Sequence, residues 1–269
     1  MKIIKDANNI DKEDKLLTLN ILNKIRNGDR VFGNPGEGLK QTLRQLDEQH
    51  EEFLKNQSVL SFTMNDAEWK TATAQLKAGI KGEETLAEYF EKIIKYDDEL
   101  QDLILFASLS DPTQNSQNLD YIPDSDFIAV YGNNILILDA KNIPTNPEIP
   151  IYLDNNSLIA AGGKELLELH PSTFVWKKIF NNRNNIIDSM KGCVVIVNQS
   201  GALIWKNPEW YTSSVQPIHI SSLLDYLHDW VKDKEPTINL SLLTTLSKMQ
   251  IRKESTGLDL TVAHKLFGV

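Results

Sequence analysis

Apolar residues recur at helical spacing through the first third of the chain. Ile10, Leu16, Leu17, Leu19, Ile21, Leu22 and Ile25 mark a helix from Ile10 to Ile25. A break follows at Gly33-Asn34-Pro35-Gly36. Leu39, Leu43, Leu46, Phe53 and Leu54 then recur at mixed intervals within a charged, glutamine-rich stretch. That pattern predicts a long amphipathic helix, either packed on the surface of a fold or paired as a short coiled coil. Beyond Asp66 two further helices are expected, one over Glu68–Ala78 and one starting at Gly82-Glu83-Glu84 and ending near Lys95.

The pattern then shortens to strand length. Leu103–Leu109, Asp126–Tyr131 and Ile135–Lys141 read as strands, with a polar loop from Ser110 to Asp120. Ile151–Leu153 and Leu158–Ala161 read as a small hairpin around Asp154-Asn155-Asn156-Ser157. Phe174–Met190 reads as a helix. Cys193–Asn198 and Ala202–Trp205 read as strands around Gln199-Ser200-Gly201, and Ser221–Val231 and Leu240–Ile251 as closing helices. The order helix, three strands, helix, strand from about residue 83 to 198 predicts an α/β fold, a mixed sheet flanked by helices. The expected organisation is a helical extension over 1–75, an α/β core over 76–235 and a C-terminal helical segment over 236–269.

Composition narrows the function. Hydrophobic residues make up 41% of the 269, enough for a sizeable core. A net charge of -9 and a pI of about 5.1 argue against a general nucleic-acid coat, which needs a basic face. They leave room for a carboxylate-rich metal site, which is acidic by construction. The single cysteine, Cys193, has no partner for an intrachain disulfide, and its valine and isoleucine neighbours make it a core residue. The charged first twenty residues hold no signal-like apolar run, and nothing approaches 18 consecutive apolar residues. The expectation is a cytoplasmic protein with no membrane contact.

The chemistry concentrates between Asp124 and Asn142. Gly132-Asn133 between two apolar runs is a hairpin turn of the Gly-Asn kind. In that register each residue faces the one whose number completes a sum of 265, so Asp126 lies opposite Asp139. Lys141 shares the face of Asp139. Two carboxylates facing each other repel, and a divalent cation relieves the repulsion. Such an ion stabilises charge on a phosphate and supplies hydroxide near neutral pH. An Asp-x-Lys alone is usually an exposed ion pair. Here it ends the apolar run Ile135-Leu136-Ile137-Leu138, where charge needs a reason.

Three segments in order, Gly79-Ile80-Lys81-Gly82-Glu83, Asp126-Phe127-Ile128-Ala129-Val130 and Ile137-Leu138-Asp139-Ala140-Lys141-Asn142, resemble the nuclease-related domain (NERD) of the PD-(D/E)XK nuclease superfamily. The resemblance covers roughly residues 79 to 200. It implies a restriction-endonuclease-like fold and an Mg²⁺- or Mn²⁺-dependent nuclease, with DNA as a more natural partner than RNA. By position it makes Glu83 the helix carboxylate near the metal, Asp126 and Asp139 metal ligands, and Lys141 the catalytic lysine. Asn142 matches the asparagine that follows the lysine in the family. Asp139 stands where the family more often has glutamate. The glutamine expected early in the later helix is not evident between Pro171 and Lys178, and residues 1 to 75 have no counterpart.

Other motifs carry less. Gly162-Gly163-Lys164 lacks the spacing of a phosphate loop and reads as a turn before a helix. His50, His170, His219, His228 and His264 show no metal-ligand spacing. Ser200 lacks the nucleophile-elbow glycines. Lys177, Lys178 and Arg183, with Lys191 just beyond and Trp176 beside them, form a basic stretch able to meet phosphate, and Asn142 joins Lys177, Lys178 and Arg183 as a candidate substrate contact. Two other readings stay open. One is a catalytically silent nucleic-acid-binding module on a nuclease fold. The other is an interaction protein that self-associates through its N-terminal helices.

Overall fold

The computed structural model describes residues 2–4, 12–56, 64–110, 124–143, 151–154, 157–160, 165–168, 176, 180, 187–197, 203–205 and 215–250. Its centre is a mixed six-stranded sheet. Strands β2 (Val31–Phe32), β3 (Ile104–Ser110), β4 (Asp124–Tyr131), β5 (Asn134–Lys141), β9 (Ser189–Ile196) and β11 (Val215–His219) lie in the order β11-β9-β5-β4-β3-β2. β3, β4 and β5 are antiparallel neighbours, while β9 joins β5, β11 joins β9 and β2 joins β3 in parallel. The β4–β5 hairpin has the register read from the sequence, from Tyr131 opposite Asn134 to Phe127 opposite Leu138. Gly132 takes φ +63 in the turn while Asn133 does not take a positive φ, the pattern of a type II′ turn.

A smaller sheet holds β6 (Ile151–Asp154), β7 (Ser157–Ala160), β8 (Glu165–Glu168) and β10 (Leu203–Trp205) in the order β10-β6-β7-β8. The β6–β7 hairpin follows the sequence pattern, but two neighbouring expectations do not hold. Gly162-Gly163-Lys164 leads into strand β8 rather than a helix. β10 does not pair with β9 across Gln199-Ser200-Gly201; it pairs in parallel with β6. The apolar run before that loop is instead claimed by the central sheet, where β9 is buried between β5 and β11.

Two apolar layers sandwich the main sheet. On one side helix α3 (Asp66–Tyr96) packs Leu86, Phe90 and Ile93 against Leu105, Phe127, Leu136, Leu138 and Val195. Helix α4 (Leu223–Val231) adds Leu223, Leu227 and Trp230 to that layer. On the other side α1 (Lys12–Arg26) and α5 (Leu240–Met249) cover Ile104, Phe106, Ile128, Val130, Ile135 and Ile137. The buried hydroxyls of Thr18 and Thr244 join α1 to α5 at 2.6 Å. Trp176 and Phe180, both helical, are fully buried in this second layer.

The N-terminal third is woven into this core. β2 extends the sheet beside β3, and α1 buries Ile21, Leu22 and Ile25 beneath it. Strand β1 (Lys2–Ile4) pairs with β12 (Thr237–Asn239) near the other end of the chain. The amphipathic helix α2 (Glu37–Asn56) finds its partner within the chain. Leu39, Leu43, Leu46 and Phe53 pack with Trp69, Ala72 and Leu76 of α3.

Two helix expectations are corrected. Glu68–Ala78 and the stretch from Gly82 form one unbroken 31-residue helix, α3, capped at Asn65 by a reciprocal box with Glu68. Glu83 therefore lies inside a helix and does not begin one. Gly79 and Gly82, which read as a break, are sites of close approach. A Cβ at Gly79 would meet Leu39 at 2.8 Å, and one at Gly82 would meet Asn142 Cβ at 3.0 Å. The Phe174–Met190 helix ends before Ser189, where β9 begins: Asp188 N–H bonds Asn133 O, and Ser189 and Met190 pair with Asn134 and Ile135. β2, β8, β11 and β12 were not evident in the sequence. They are two to five residues long, too short for a clear period.

Candidate active site

Asp126 stands near the start of β4, and Asp139 and Lys141 stand at the end of β5. Leu138 and Ala140 point toward α3, so alternation turns Asp139 and Lys141 to the opposite face. The backbone ladder between β4 and β5 stops at Phe127–Leu138. Beyond it the Asp126 carboxylate takes over a backbone role, its Oδ2 accepting from Ala140 N–H at 2.7 Å. Lys141 O in turn accepts from Val197 N–H, which holds the strand end against β9.

Glu83 comes from the middle of α3. It is buried, with 4% of its surface exposed, and its Oε2 accepts from Gly36 N–H at 2.8 Å. Gly82 lets α3 approach the end of β5 this closely. There Asn142 Nδ2 donates to Ala78 O at 2.8 Å, fixing strand end to helix, while Asn142 Oδ1 is buried without a hydrogen bond. A free substrate-contacting side chain is not what Asn142 offers, because its amide already ties β5 to α3.

The four residues form one electrostatic group. Burial pushes Glu83 up to about 7, opposed by Gly36 N–H and Lys141 and reinforced by Asp139 and Asp124. Burial drives Asp126 well above the usual carboxylate range. Glu83 and Asp139 push it further, while Lys141 and Ala140 N–H oppose the rise. Burial would lower Lys141, but Asp126, Asp139, Asp124 and Glu83 outweigh it and hold the ammonium protonated. Asp124, exposed at the start of β4, is thus a fourth carboxylate that faces the lysine and was not singled out from the sequence.

This is a surplus of negative charge around one cation. Hard divalent ions suit such oxygen donors, and Mg²⁺ commonly takes only one or two carboxylates with water and phosphate completing its shell. Among the described residues no three His, Cys, Asp or Glu side chains are grouped to hold a metal. The donor set fits an open site of that two-carboxylate kind rather than a closed cage. One oxygen each of Asp126 and Glu83 is engaged by backbone N–H, leaving Oδ1 and Oε1 for another ligand.

The remaining candidates fall elsewhere. Lys177, Lys178 and Arg183 lie outside the described residues, and Lys191 is exposed on β9. Cys193 is buried, and burial with Asp139 nearby pushes its thiol well up, which suits a core residue. His50 stacks on Trp69 with ring centroids 4.0 Å apart, and His228 Nε2 meets Asp97 Oδ2 at 2.8 Å. His219 Nδ1 meets Ser221 Oγ, and His170 and His264 are outside the described residues. Among the described residues no helix is long and apolar enough to cross a membrane. No family model, no curated protein and no solved structure matches this chain.

Proposed function

We propose that this chain is a divalent-metal-dependent nuclease that hydrolyses phosphodiester bonds, with DNA the preferred substrate. The observation that carries the reading is the charge pattern at the end of β5. One lysine stays protonated among Glu83, Asp124, Asp126 and Asp139, and two of those carboxylates are raised in pKa. Clustered perturbed groups are a mark of functional sites. Support comes also from the order α3, antiparallel β3-β4-β5, buried helical residues Trp176 and Phe180, then β9 parallel to β5. This order suits the restriction-endonuclease-like fold that the NERD resemblance implies.

Asp126 and Asp139, with Glu83 beside them, are the residues that would hold Mg²⁺ or Mn²⁺. The bound ion would supply charge stabilisation at the phosphate and hydroxide near neutral pH. Lys141 does not serve as the base, since its neighbours keep its proton on. As an ammonium it orients the attacking water and stabilises charge that develops on the phosphoryl oxygens. Asp126 is oriented by Ala140 N–H and Glu83 by Gly36 N–H, so both are set before substrate arrives.

The test is incubation with linear, circular and single-stranded DNA and with RNA, in Mg²⁺, Mn²⁺ or EDTA. Asp139→Ala and Lys141→Ala run alongside. The expected result is metal-dependent cleavage that falls by roughly 100-fold or more in each variant. A folded wild-type protein that cuts none of these substrates would leave the silent binding module as the better reading.

A further inference from the structure

Ser108 interrupts β3. It is buried and takes φ +51, a left-handed conformation that a serine in a strand does not adopt without compensation. The consequence is visible in the packing. Ala107 lies in the layer with α3, while Leu109, two residues on, lies in the layer with α1 and α5. A regular strand would put both on one face. The twist also gives the Ser108 hydroxyl a task outside the sheet. Its Oγ donates to Asn34 O at 2.8 Å and accepts from Glu37 N–H at 3.2 Å.

Those two groups bracket the turn Gly33-Asn34-Pro35-Gly36-Glu37 that opens α2. The turn is held on every side. A Cβ at Gly33 would strike Ala107 O at 2.5 Å, and one at Gly36 (φ +71) would touch Ile80 of α3 at 3.4 Å. Lys40 Nζ bridges Pro35 O and Glu84 at 2.8 Å each. From this turn Gly36 N–H reaches α3, ending on the Glu83 carboxylate.

We infer that Ser108 and the Gly33–Glu37 turn are positioning elements of the acidic site, through which the N-terminal third holds Glu83 in place beside Lys141. This rests on the nuclease reading. Ser108 touches no reacting atom; it acts through the turn. Within β3 the left-handed backbone falls on the residue whose hydroxyl anchors that turn, as strain stored at a functional site does. Asn34 O also accepts from Glu37 N–H directly at 3.1 Å; without the hydroxyl that bond is the turn's own remaining tie, and Gly36 N–H is held less firmly toward Glu83.

The test is Ser108→Gly, because glycine accepts the positive φ while the hydroxymethyl group that anchors the turn is lost. Three readouts are compared with wild type in protein shown to be folded: the Gly36 amide proton in ¹⁵N-labelled protein, Mn²⁺ affinity by electron paramagnetic resonance, and kcat with KM on the preferred DNA. The Gly36 amide should move upfield in Ser108→Gly as its hydrogen bond to Glu83 lengthens. kcat should fall roughly 10- to 100-fold with KM little changed, and Mn²⁺ should bind more weakly. An unmoved Gly36 amide, or kcat and Mn²⁺ affinity both at wild-type values, overturns the inference. Wild-type protein that neither binds Mn²⁺ nor cleaves overturns the nuclease reading instead, and the Gly36 amide still decides whether Ser108 holds the turn.

Discussion

Glu83→Gln isolates what the buried charge costs the fold. Glu83 is 4% exposed, and its pKa rises from the ordinary 4.5 to about 7. The native protein thus binds this proton more tightly than the unfolded chain does. Stability from this source is fully present below pH 4.5 and is lost as pH rises toward and through 7. At about 1.36 kcal/mol per unit, the loss between pH 4.5 and pH 8 is about 3 kcal/mol. Glutamine keeps the shape, and its Oε1 can still accept from Gly36 N–H, but it carries no charge at any pH. Urea unfolding of the metal-free proteins at pH 5, 6, 7 and 8 separates the two. Wild type should lose about 2.5 kcal/mol more than Glu83→Gln across that span, most of it between pH 5 and 7. Mg²⁺ at pH 8 should return stability to wild type and much less to the variant, since the ion stabilises the charged native form. Parallel pH profiles for the two proteins would refute the argument that Glu83 is buried as a costly carboxylate.

Other perturbations test separate parts of the structure. Lys141→Met removes the cation that three buried or half-buried carboxylates share. It should abolish cleavage and cost about 3 kcal/mol or more at pH 8, less at pH 5 where Glu83 is protonated, as read by urea unfolding at both pH values. Gly82→Ala should destabilise by about 1–3 kcal/mol in chemical denaturation. Alanine favours a helix by about 1 kcal/mol, but its Cβ would stand 3.0 Å from Asn142 Cβ and push α3 off the end of β5. A chain starting at Met64 should lose cooperative thermal unfolding in calorimetry, because it lacks β2, the buried Ile21, Leu22 and Ile25 of α1, and the Gly36 N–H on Glu83.

The sequence by itself determined the local elements whose physics is local. The two-residue turn and the apolar runs on either side of it specify the β4–β5 hairpin and its register, because a slip of one residue would turn Asp126, Asp139 and the apolar residues to the wrong faces. The three-four spacing of α1 and α2 likewise needs no partner to be read. Tertiary structure decided what depends on which surfaces meet. Gly79 and Gly82 look like a break in a helix, yet α3 runs through both, and glycine stands there because Leu39 and Asn142 lie where side chains would be. β10 left its sequence neighbour for β6, and β2, two residues long, gained its place only by pairing with β3. Asp124, Gly36 and Ser108 could not be singled out from the chain, since Asp124 matters through its distance to Lys141 and the other two through contacts with residues more than forty positions away. Carboxylate chemistry is written in residue types, but the burial and hydrogen bonds that perturb it are set only when α2, α3 and the sheet close around one point.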